Sequence, residues 1–278
     1  MGVVFTPEQF AAGRIPKPDD YPRAYDLVRF GLNELLREGK IIGAVFNGST
    51  GAGPVRPGSD IDVVLVVPDR SACRSLESLA NSIENHTNVP IEFVPEVASL
   101  ARQGMHGIDY FYAQSLAAQR SDMVIGENPA DYFTSLPAWS NPREERLRET
   151  RDKIRRQTKA IVNTRRWDAE RCHALQRGLA WPVIMALDRI RVADGHNNLD
   201  AANQMPSKRR ILEMYEDRHG STPVLCEAIA LTDNYREFLA SSTNIIKYEK
   251  LLFTIDSFLD TSIAFLHKVH DEIRDEAR

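Results

Sequence analysis

Hydrophobic positions follow two regimes along this chain. In the first half they come as short dense runs, and in the second they recur every three or four residues. Ile41–Phe46 and Asp60–Val67 (DIDVVLVV) are apolar runs rich in β-branched residues, the composition of buried strands. Val89–Val94 and Met123–Ile125 predict two further strands, and Pro90 near the start of the third places it toward a sheet edge. Leu27, Phe30, Leu32, Leu35 and Leu36 predict a helix over Asp26–Gly39, with Gly39 available to cap it. Leu76, Leu79, Ala80 and Ile83 predict another over Ser71–His86, and residues 107–119 read as helical. Residues 1–22 are Pro-rich and read as an irregular arm. Asn47–Ser59, dense in Gly, Pro and Ser, reads as turns.

From Asn141 the helical period takes over. Asn141-Pro142-Arg143-Glu144 reads as an N-cap, a Pro in the first turn and an acidic third position. Helices are predicted at about 142–165, 168–193, 207–219, 222–239 and 244–274, with Pro182 kinking the second. The fold class is therefore α+β: a small mixed sheet with helices in residues 1–138, its core at about 25–130, followed by an all-helical domain in 139–278.

Composition narrows the function classes. The chain has 278 residues, 42% hydrophobic and 27% charged, enough for a sizeable core without staples. Cys73, Cys172 and Cys226 are scattered, with no zinc-like spacing, and read as idle thiols. No signal peptide and no membrane-length apolar stretch is visible, so the expectation is a cytoplasmic protein with no membrane partner. The net charge of −4 hides an asymmetry, since residues 1–140 carry 11 Lys+Arg against 17 Asp+Glu and residues 141–278 carry 24 against 22. This is not the balance of a general nucleic-acid binder.

The chemistry concentrates in NGSTGAGPVRPGSDID, residues 47–62. A strand alternates its side chains, so Asp60 and Asp62 share a face. Two like charges that close are costly unless a cation sits between them, and Mg²⁺ prefers carboxylate oxygens together with phosphates. The Gly48-Ser49 turn offers backbone N–H groups and a hydroxyl suited to a phosphate oxygen. Glu92, flanked by Ile91 and Phe93 on the next predicted strand, can be brought beside the pair by a crossover. There it would hold a metal or take a proton. Glu96 competes for that role, although it follows Pro95 and reads as loop. The set describes metal-assisted phosphoryl or nucleotidyl transfer.

Gly48, Ser49, Gly53, Arg56, Pro57, Ser59, Asp60, Asp62 and then Glu92 resemble the motif of the DNA polymerase β-like nucleotidyltransferase superfamily. The pattern is similar to its aminoglycoside nucleotidyltransferase and minimal nucleotidyltransferase branch, over about residues 25–130. The resemblance implies that Asp60 and Asp62 coordinate Mg²⁺, two ions in all, and the triphosphate. Gly48 and Ser49, with Ser59, bind the nucleotide, and Glu92 is third ligand or general base. The co-substrate would be ATP, with the nucleoside monophosphate passed to a hydroxyl of a small molecule such as an aminoglycoside. A protein or tRNA acceptor, or a regulatory module that binds nucleotide without turnover, are the alternatives. Gly51-Ala52-Gly53 lacks the arginine that many minimal members carry, so a phosphate cation must come from elsewhere. Lys208, at a predicted helix start, and the run 143–166, with 10 Lys+Arg against 4 Asp+Glu, are candidates. Trp167, Trp181, Tyr215 and Phe253 read as core or interface residues.

Overall fold

The computed structural model describes residues 3–47, 58–105, 116, 121–133, 142–163, 167–193 and 207–275. The fold is mixed α and β, mostly helical, with a four-stranded mixed sheet. One unit is built on Ile15–Trp139. The other combines Val3–Arg14 with Ser140–Ala201 and Met205–Arg278.

In the first unit, strands β1 (Gly43–Asn47), β2 (Ile61–Val67), β3 (Ile91–Val97) and β4 (Val124–Gly126) lie in the order β3-β2-β1-β4. β2 and β3 are parallel, joined by helix α3 (Ala72–Thr87), and the other pairs are antiparallel. β3, with Pro90 just before it and Pro95 within it, is an outer strand of this sheet, as proline requires. Ile61, Val63, Leu65 and Val67 pack with α3 and with α2 (Asp20–Arg37) in one cluster. Val64 and Val66 pack on the opposite face with α4 (Ala98–Ala101) and α5 (Ala130–Phe133). A strand covered on both faces needs no polar alternation, which is why DIDVVLVV is apolar after its aspartates. Gly43 and Gly126 are register partners. A Cβ on Gly43 would sit 1.8 Å from the Glu127 carbonyl oxygen, so only glycine allows this approach.

The second unit carries α6 (Pro142–Asn163), α7 (Ala169–Ala193), α8 (Lys208–His219), α9 (Pro223–Ser241) and α10 (Ile245–Asp275). α7 runs through Pro182 without ending. Pro182 has no N–H for the carbonyl four residues back, on Gly178. Ser262 of α10 donates its hydroxyl to that carbonyl at 2.8 Å. Gly178 also lets α10 approach, since a Cβ there would lie 2.1 Å from Leu259 Cδ2. Tyr215 is buried, Trp181 packs against the helical core, and Phe253 is exposed. The expectation of a packed Phe253 is therefore corrected: it meets the Trp167 ring edge-on, and its other faces see solvent.

The N-terminal arm is not irregular. Thr6 and Gln9 form a reciprocal capping box that starts α1 (Pro7–Ala11). Phe10 stacks on Tyr248 at 4.1 Å, and Tyr248 Oη donates to the Phe5 carbonyl at 2.7 Å. The Phe5 N–H donates to Tyr235 Oη at 3.0 Å. Burying a side chain the size of Phe10 contributes about 1.5–3 kcal/mol, so residues 3–14 are part of the helical core. Cys172 donates to the same Phe5 carbonyl. Burial first, then the charges of Asp168 and Glu8, push its thiol up to about 12, which leaves it protonated and inert. Among the described residues no helix is long and apolar enough to cross a membrane.

Candidate functional site

The parallel pairing of β2 and β3 sets Asp62 directly against Glu92. On the other side Asp62 is the register partner of Asn47. Asp60 precedes β2 by one residue, in step with Asp62 on the strand's period of two. Asp60, Asp62 and Glu92 each present a ligand oxygen within 4.8 Å of the others. Asp60 is buried, Asp62 half-buried and Glu92 exposed, which leaves an open side toward solvent.

The three carboxylates strain one another. Burial, then the Asp60 charge and the neighbouring Glu92, push Asp62 up to about 7. Glu92 is also raised, by the protein around its carboxyl and by Asp60, although its side chain reaches solvent. Asp62 and Glu92 hydrogen-bond to each other, so near neutral pH they share a proton. Hard oxygen donors in a repelling trio fit a divalent cation, which relieves the repulsion that the proton otherwise relieves.

Ser59 stands beside this trio. Its Oγ is buried with no hydrogen-bond partner among the described residues, a polar atom suited to a ligand oxygen. Tyr21, from α2, donates to the Ser59 carbonyl at 3.0 Å and is itself buried. It pins the peptide that leads into Asp60. Tyr21 was not legible as a site residue, because it falls in the segment read as irregular and acts across 38 positions.

Other expected residues fall elsewhere. Gly48, Ser49, Gly53, Arg56 and Pro57 lie outside the described residues, as do most of 107–119. Glu96 is on β3 and not in a loop, because the strand continues through Pro95 at the sheet edge. It is four residues from Glu92, about 13 Å along the strand, and lines a cavity of about 460 Å³ with Arg70 and Leu100. That cavity is at the far end of β2 and β3 from the carboxylates. Lys208 is the first residue of α8, after Ser207, whose Oγ accepts from the Arg210 N–H at 3.2 Å. It belongs to the second unit.

No family model matches the chain, and no curated protein sequence matches it significantly.

Proposed function

We propose that this chain is a Mg²⁺-dependent nucleotidyltransferase with the polymerase β-like fold in its first unit, acting on a small-molecule hydroxyl. The observation that carries this reading is the trio Asp60, Asp62 and Glu92, three ligand oxygens within 4.8 Å on a strand end and its parallel neighbour. Asp60 and Asp62 would hold the metal, with Glu92 beside them. Bound there, Mg²⁺ supplies charge neutralisation at phosphoryl oxygens. Ser59 presents its unpartnered hydroxyl to the nucleotide, and Tyr21 holds the peptide that positions Asp60. The acceptor hydroxyl attacks the α-phosphorus of ATP, the bond to pyrophosphate breaks, and Glu92 accepts the hydroxyl proton.

Exposed Arg148, Arg151, Arg155 and Lys159 on α6 favour a second reading, a macromolecular acceptor such as a tRNA end or a protein hydroxyl. Pyrophosphate release from MgATP separates the two. Release that requires an aminoglycoside and is absent in Asp60→Ala establishes the small-molecule enzyme. Release that requires RNA or protein moves the acceptor to the second reading. No release under any condition sinks both.

A further inference from the structure

Helices α6 and α7 pack against each other, tied by three side-chain contacts. Thr150 Oγ1 meets Met185 Sδ at 3.6 Å, Lys153 Nζ meets Asp188 at 3.5 Å, and Gln157 Nε2 donates to the Ala174 carbonyl at 2.8 Å. His173, Arg177 and Trp181 form one row on α7, each a turn from the next. Arg177 lies over the Trp181 ring, its Cζ 5.5 Å from the centroid. That stacking holds the guanidinium plane in place. Its Nε is buried with no hydrogen-bond partner among the described residues. Arg156, one turn past Lys153 on α6, lies near enough to Arg177 for its charge to act on it.

The groups repel one another. Burial and then the Arg156 charge disfavour the charged form of Arg177, and Glu170 opposes them. Burial and then Arg177 hold His173 below the usual histidine range. His173 is therefore a neutral imidazole near pH 7, with an N–H to donate. Arg177 thus lies within electrostatic reach of the Arg156 guanidinium on one side and of the His173 imidazole on the other. Like charges collected this way stabilise an oxyanion held between them, and arginine forks match its tetrahedral oxygens.

We infer that Arg156, Arg177 and His173 form a phosphate-binding site on the seam between α6 and α7. Arg156 and His173 are exposed and reach a ligand from solvent, and Arg177 is half-buried beneath them. The phosphate belongs either to a small molecule or to the backbone of a polynucleotide. Exposed Arg148, Arg151, Arg155 and Lys159 continue along α6 at helical spacing, over about 16 Å, a length that a polynucleotide alone would use. This site lies wholly in the second unit and stands whether or not the carboxylate trio is catalytic.

The test uses the full chain in EDTA, so that the carboxylate trio does not hold metal-bound phosphate. Titration calorimetry with pyrophosphate and anisotropy of a labelled single-stranded RNA, over a salt series, read the two sources. The double variant Arg156→Gln/Arg177→Gln is expected to weaken binding by at least about tenfold, the worth of charged hydrogen bonds. The double variant Arg148→Gln/Arg151→Gln, with the same change in charge, should weaken pyrophosphate less than about threefold. Tight RNA binding with weak pyrophosphate binding assigns the site to a polynucleotide backbone, and comparable binding assigns it to a small phosphate. Equal losses of pyrophosphate affinity in the two double variants, or no binding of either probe, overturns the site. Arg156→Gln alone, at an exposed position, replaces the double variant if the latter melts early by circular dichroism.

Discussion

The two units gather charge in opposite ways. The sheet unit packs three carboxylates at strand ends, where the hydrogen-bond ladder sets Asp62 against Glu92 residue for residue. The helical unit sets cations of two neighbouring helices, Arg156 and Arg177, within reach of each other's charge. The first arrangement has little room to relax, because strand register moves only in whole residues. The second can spread its charge by rotamer changes. A cation brought to the first should therefore matter more than an anion brought to the second.

The largest effect that would break this comparison is at Asp60. Asp60→Ala should lower nucleotidyl transfer by about a hundredfold or more, the scale of losing a charge-stabilising group in a site. The fold should hold, because the variant also removes repulsion on Asp62 and Glu92. Single-turnover formation of pyrophosphate measures the first, and the melting temperature without metal measures the second. A normal rate, or a less stable variant, would mean that Asp60 is a structural acid.

The trio could be read from sequence because its causes are local. A period of two puts Asp60 and Asp62 together, and one strand–helix–strand unit brings Glu92 alongside. A strand around Glu92, read at 89–94 and observed at 91–97, its edge position and the succession of helices after residue 141 were legible for the same reason. The docking of residues 3–14 was not, although Thr6-Pro7-Glu8-Gln9 is a capping box in plain view. A capping box announces a helix and says nothing of where the helix packs. Ser262 to Gly178, across 84 positions, and Tyr21 to Ser59 belong to the same class: contacts that no local pattern encodes.

Helical packing offers the next effect. Gly178→Ala should destabilise the protein by about 1–3 kcal/mol, the usual cost of overpacking, because the new methyl meets Leu259 and Gln157. Ser262→Ala strands the Gly178 carbonyl beneath Pro182 and should cost about 1–3 kcal/mol. Urea unfolding measures both. If Ser262→Ala is neutral, the carbonyl freed by Pro182 needs no partner and the account of how α7 survives its proline fails. Neither variant should alter the Mg²⁺ binding proposed for the carboxylate trio.

The subtlest readout is a pair of opposite pH slopes. Asp62, at about 7 in the folded protein against 3.8 when unexposed to its neighbours, keeps a proton that the unfolded chain has lost. Without metal, its contribution therefore destabilises the sheet unit progressively as pH rises from about 4 to about 7, and no further above that. Mg²⁺ needs the deprotonated carboxylates, so its stabilisation should be full above pH 7 and fade toward pH 5. His173 behaves in reverse. Its folded-state pKa is lowered from 6.5, so below that value the unfolded chain takes up a proton that the folded one refuses, and stability rises with pH up to about 6.5. Amide exchange of buried residues, Val64 for the sheet unit and Leu175 for the helical unit, reads the two slopes in one experiment. Asp60→Asn should reduce the first slope and leave the second, whereas Arg177→Gln should reduce the second alone, burial holding the rest of each shift. Slopes that move together would show that the two charge clusters are coupled through a single unfolding step and are not two separate solutions to crowded charge.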